Sequence, residues 1–87
     1  MRKDHDFFQD REVELVYIAK RLGEAKKLEE LLSSVGVDYL VETDQYFGGF
    51  IFQRVRIGAF FYVQRDAAGP ARQVLLESGY RPQPSSV

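Results

Sequence analysis

The chain has 87 residues, 45% hydrophobic and 29% charged, with a formal net charge of −1 and no cysteine. This sets the expectation of one domain with a modest core. It excludes a disordered chain and a general electrostatic pull toward nucleic acid or membrane, and the missing cysteine excludes disulfides, thiolate catalysis and zinc–thiolate sites.

Residues 1–11 are polar apart from Phe7 and Phe8 and read as a flexible N-terminal arm. They lack the apolar segment of a secretory signal. No apolar run in the chain approaches the ~20 residues that span a bilayer. The expected location is the cytoplasm, with no membrane partner.

Residues 12–20, EVELVYIAK, are rich in β-branched and aromatic residues and predict a first strand. Val13, Leu15, Tyr17 and Ala19 fall on one face, and Val16 and Ile18 on the other. Residues 24–35 predict a helix, because Ala25, Leu28, Leu31, Leu32 and Val35 recur at three- and four-residue steps. Gly36 follows where a left-handed cap is expected. Residues 37–43 alternate as a second strand, and the next segment, DQYFGG, reads as a turn with two glycines.

Residues 50–63 alternate without losing phase. The odd positions, among them Val55, Ile57, Phe61 and Val63, belong to the core. The even positions are Phe50, Phe52, Arg54, Arg56, Gly58, Phe60 and Tyr62. A hairpin at Ile57-Gly58 would put a β-branched residue where positive φ is needed, so one long strand is expected, bent or bulged at Gly58. Residues 67–78 predict a second helix, with Asp66 as N-cap and Gly79 as C-cap. The whole domain is read as residues 12–80. Residues 81–87, RPQPSSV, read as a disordered C-terminal tail.

The order β-α-β-β-α predicts an α+β, ferredoxin-like or GlnB-like two-layer sandwich. Its sheet would have three antiparallel strands in the order 2-3-1, with both helices on one face. That plan leaves the first strand as an open edge and one sheet face bare.

The segments VYIAKRLGEAKKLEELLSSVGVDYLVE and FFYVQRDAAGPARQVLLESGY, separated by a glycine-bearing loop, resemble the small prokaryotic signal-transducing protein family with a PII-like (GlnB-like) fold. The shared features are the apolar strand, Ala25 and the Leu31-Leu32 pair, Gly36-Val37 opening the next strand, and FYV leading to a helix that ends in LLESGY. The resemblance spans residues 13–80. It implies a regulatory role, subunit assembly and a small ligand at a subunit boundary, and it brings no catalytic residues. PII proteins use a long loop and trimer clefts for nucleotides. DQYFGG is short, and no phosphate-cradling motif is present.

His5 stands between Asp4 and Asp6 as a conceivable weak metal site, but a solvated terminus is favoured. The carboxylates Glu29, Glu30, Asp38, Glu42 and Asp44 read as solvated surface rather than an acid–base pair. Gly48-Gly49 reads as a turn, since no helix follows to bind an anion. The bare face is more informative, because aromatics and arginine are enriched at interface cores. The residues expected to meet a ligand or partner are Tyr46, Phe47, Phe52, Arg54, Arg56, Phe60 and Tyr62. Either another subunit or the chain's own Phe7 and Phe8 would cover this face. The functional expectation is a non-enzymatic interaction module without a cofactor, joined to itself or to a protein partner. The alternative is single-stranded nucleic-acid binding, with bases stacked on the same rings.

Overall fold

The structure is a computed structural model that describes residues 1–48 and 54–84, with the backbone alone for Phe47 and Arg54. Its elements are β1 (Arg2–Lys3), a 3₁₀ turn (His5–Phe8), β2 (Val13–Ala19), α1 (Leu22–Ser34), β3 (Tyr39–Gly48), β4 (Arg54–Gln64), a second 3₁₀ turn (Arg65–Ala67) and α2 (Ala68–Glu77). They form an α+β domain with one four-stranded sheet in the order β1-β3-β4-β2.

This corrects the expected three-stranded antiparallel sheet. The added strand is Arg2–Lys3, which pairs parallel with β3 and makes the sheet mixed. The Tyr39 N–H donates to Met1 O at 3.0 Å on that edge. A two-residue strand has no alternation to betray it, so this N-terminal segment reads as a loose arm from sequence. β3 and β2 both pair antiparallel with β4, which lies between them.

The helices follow their apolar stripes. Ala25, Leu28 and Leu32 of α1 and Ala68, Ala71 and Leu75 of α2 are buried. They share one cluster with Val16, Ala19, Tyr39, Phe61 and Val63 of the sheet. Both helices end in the same way. Gly36 and Gly79 take positive φ (75° and 88°), and the next residues, Val37 and Tyr80, donate back to Leu32 O and Leu75 O. That geometry satisfies the last carbonyls, and glycine adopts it without a Cβ clash. Asp66 does not cap α2; it sits in the 3₁₀ turn that precedes the helix.

β2 departs from simple alternation. Its register with β4 shifts between Leu15 and Tyr17, a bulge at Val16. Val16 and Tyr17 therefore both reach the helix-side cluster, while Leu15 and Ile18 lie opposite Tyr62 and Phe60. The bulge also leaves the carbonyls of Leu15 and Val16 at the sheet edge. Arg72 Nη2 donates to the first at 3.2 Å, and the Gln83 N–H donates to the second at 2.7 Å. Arg72 Nε completes the clamp by donating to Gln83 O at 2.7 Å. The expected open edge of this strand is thus covered by the segment after α2. Pro82 and Pro84 flank Gln83, and proline cannot extend the ladder.

The path from β1 to β2 explains the second face of the sheet. β1 and β2 are opposite edges, so the chain between them crosses β3 and β4. The β2-α1-β3 connection crosses back in the other direction. Two crossovers of opposite direction have the same hand only on opposite faces, and parallel crossovers are nearly always right-handed. The N-terminal crossover does lie opposite the helices. His5 Nε2 meets Glu42 Oε1 at 3.2 Å on one side, and Arg11 Nη1 meets Gln64 Oε1 at 3.3 Å on the other. Phe8 of the crossover and Leu40 and Phe60 of the sheet are 5%, 6% and 9% exposed. Phe7 lies between two cations, with Lys3 Nζ at 5.1 Å and the Arg11 guanidinium at 4.5 Å from its ring.

No helix among the described residues is long and apolar enough to cross a membrane.

Phe8→Ala is expected to destabilise the domain by about 3–5 kcal/mol, the usual loss for truncating a buried phenylalanine. Urea denaturation monitored by circular dichroism checks it, and a loss under ~1 kcal/mol would place Phe8 off the sheet.

Candidate interaction surface

The strands outrun the helices. At ~3.3 Å per residue the 11 residues of β4 extend about 36 Å. At 1.5 Å per residue the 13 residues of α1 cover about 20 Å. The tops of β3 and β4 therefore project as a two-stranded ribbon, held in uninterrupted register from Tyr39↔Val63 to Gly48↔Arg54.

This ribbon corrects the expected turn at DQYFGG. Asp44 to Gly48 continue β3, because Asp44, Gln45, Tyr46 and Phe47 each find a partner on β4. The expected continuous strand through Ile57-Gly58 is present, with Gln45↔Ile57 and Asp44↔Gly58 paired without a break. Its beginning, over residues 50–53, lies outside the described residues.

The seven site residues separate into groups. Tyr46 and Arg56 face each other across the ribbon. Phe47 and Arg54 stand opposite Val55 and Gly48, and Phe52 lies outside the described residues. Phe60 and Tyr62 sit lower, where the N-terminal crossover covers the sheet; Phe60 is buried and Tyr62 half-buried. Among the described side chains, Tyr46 and Arg56 therefore stand apart from Phe60 and Tyr62. The rings at Phe60 and Tyr62 are largely withdrawn, and the residues near the ribbon tip remain.

Two glycines let the ribbon face lie flat. A Cβ on Gly58 would stand 3.0 Å from Tyr46 Cε1 and 3.0 Å from Ile18 Cγ2. A Cβ on Gly48 would meet Arg56 Cδ at 3.2 Å and Tyr46 Cε2 at 3.3 Å. The Tyr46 ring thus lies along the sheet in space that only glycine leaves open. Lys20 Nζ approaches the ring to 6.0 Å from its centre.

Charge on this face is ordered by strand. β3 brings Glu42 and Asp44, and β4 brings Arg56. Asp44 turns one oxygen back to the Gln45 N–H at 2.7 Å. Among the described residues neither Asp44 nor Arg56 makes an ion pair. The Tyr62 hydroxyl is held above its ordinary pKa, by burial first and then by the charges of Glu42 and Asp44. Burial also leads the upward shifts of Tyr17 and Tyr39. No cluster of three metal-ligating side chains occurs among the described residues.

Sequence reasoning missed two features. On the helix side, Val55 and Ile57 are 56% and 66% exposed, although alternation assigned both to the core. They lie beyond the reach of α1, and Ile57 lines a cleft of about 190 Å³ with Lys20, Leu22, Ala25, Thr43 and Ala59. The lengths of the predicted elements carried that signal, because no helix of twelve residues can cover so long a strand. The other feature is the outer edge of β3. β1 pairs only with Tyr39 and Leu40, so among the described residues no strand accompanies β3 from Val41 to Gly48.

Gly58→Val is expected to destabilise the fold by about 1–3 kcal/mol through overpacking against Ile18 and Tyr46, measured as a shift of the urea midpoint. The three raised tyrosines give a pH signature. Below pH ~10 both states keep the phenol proton; above it the unfolded chain loses protons first, so stability falls as pH rises toward the folded pKa values. Urea midpoints between pH 8 and 11 should stay level and then decline, with a flat profile throughout as the contrary outcome. No protein-family model, no curated protein and no solved structure matches the chain.

Proposed function

We propose that the protein is a non-enzymatic interaction module that works as a homo-oligomer, with the projecting β3–β4 ribbon as its contact element. The observation that carries this reading is the ribbon itself. A two-stranded ribbon is marginal in water unless something packs on it. This one displays Val55 and Ile57 on one face and Tyr46 and Arg56 on the other. Aromatic and arginine side chains beside exposed aliphatics are the composition of an interface core.

The resemblance to PII-like signal-transducing proteins favours a regulatory role in the cytoplasm. The cleft beside Ile57 is the place on this surface where a small apolar ligand fits. The nucleic-acid alternative is weakened by the burial of Phe60, since bases need accessible rings to stack on.

Light scattering at tens of micromolar is expected to give at least twice the mass of one chain, and a clean monomer would end this reading. Single-stranded oligonucleotides at low salt should leave that mass and the protein's tyrosine fluorescence unchanged. Salt-sensitive binding would instead favour the alternative.

A further inference from the structure

We propose that two copies join edge to edge through β3, antiparallel, around a two-fold axis at Gln45. This inference rests on the self-association reading above and specifies its partner and geometry.

The two sides of the sheet are treated differently. The β2 edge is bulged, clamped by Arg72 and covered at Gln83. Those are the devices by which proteins prevent strands from adding. Among the described residues the β3 side has only the two residues of β1, after which Val41 to Gly48 run on without a bulge or a proline. A long regular edge of this kind is a template for another strand. Its equal in length and direction is the same edge of a second copy, turned end for end.

The register follows from backbone parity and charge. The Tyr39 N–H points to the β1 side, so the odd residues of β3 turn their backbone groups to the outer edge. An antiparallel partner must therefore set odd residues against odd ones. Near the middle of the free edge two registers do so. One centres on Asp44 and brings two aspartates face to face, which is destabilising. The other centres on Gln45, with Thr43 opposite Phe47 of the second copy, Asp44 opposite Tyr46, and Glu42 opposite Gly48.

The second register also complements charge. Within each copy Tyr46 stands beside Arg56 and Gly48 beside Arg54. Each acid of one β3 then faces an arginine position of the other copy, one strand further across the joined sheet. The end of the edge is prepared as well. Where β1 stops and the chain turns away, Arg2, Lys3, Asp4, His5, Leu40 and Val41 line a groove of about 410 Å³. Gly48 of the second copy, opposite Glu42, comes to the end of the edge beside that groove.

The absence of native cysteine makes the test direct. Gln45→Cys sits on the axis, so mild oxidation should convert most of the protein to a disulfide-linked dimer on a non-reducing gel. Thr43→Cys lies on the same side of the strand but off the axis, and should cross-link at least 10-fold less. Gln45→Pro removes an outward N–H that β4 does not use and that within the monomer meets only the exposed Asp44 carboxylate at 2.7 Å. It should keep the native circular dichroism and raise the dissociation constant at least 10-fold. Equal cross-linking at both positions, or a Gln45→Pro variant as dimeric as the parent, overturns this pairing and leaves self-association standing. A monomeric parent removes the self-association reading first.

Discussion

The constraint from which most of this structure follows is a mismatch of length. Two central strands of 10 and 11 residues are covered by helices of 13 and 10 residues. A helix advances less than half as far per residue as a strand. Helices of this size can seal only the lower half of such strands. The buried cluster accordingly ends at Ala59 and Val41, while Ile57 and Val55, on the same face of the same strand, stand in solvent. Position along the strand decides their environment, and hydrophobicity does not.

The lower half needs covering on both faces, and the chain provides this in opposite ways. On one side two amphipathic helices pack by regular stripes. On the other, a short crossover buries Phe8 on the face where Leu40 and Phe60 are also buried, with Phe7 near both Lys3 and Arg11. Cation–ring contacts at accessible sites contribute about 0.5–1 kcal/mol each, whereas burial of a phenylalanine contributes ~1.5–3 kcal/mol. Phe8 is therefore the main anchor of the crossover, and the contact of His5 with Glu42, largely exposed, adds little. The same economy appears at the β2 edge. One guanidinium satisfies the carbonyl of Leu15, holds Gln83 and faces Glu14 at 3.8 Å, so α2, β2 and the following segment meet at one side chain.

Much of this was legible in the amino-acid order. The α1 stripe, the two glycine caps and the unbroken phase of residues 54–64 were readable because each is a local, periodic signal. Three features were not. Arg2–Lys3 is too short to have a period. The bulge at Val16 was hidden because β2 is apolar on both faces, so a shift of register leaves no polar residue misplaced. The extension of β3 through Asp44–Gly48 was masked by glycine and acidic residues that usually mark turns. In this ribbon the glycines instead make room for the Tyr46 ring. The site residues divided along the same line. Tyr46 and Arg56 come together because cross-strand pairing is set by register, whereas Phe60 is buried and Tyr62 half-buried on the face of a crossover that only the topology dictates.

The proposed edge pairing has an energetic character that suits a regulatory part better than a permanent scaffold. Strand addition along the seven residues from Glu42 to Gly48 supplies main-chain bonds whose net worth is about 0.5–1.5 kcal/mol each. Its charges stay near solvent and are screened within ~8–10 Å at physiological salt. Such a contact lies toward the weak end of specific interfaces, where area and affinity are both modest. An increment of 1.4 kcal/mol, from a small molecule in the cleft beside Ile57 or a partner against Val55, would shift the association tenfold. A fold that seals one sheet edge with a bulge and an arginine, yet among the described residues covers the other only at Tyr39 and Leu40, places its sensitivity at that second edge.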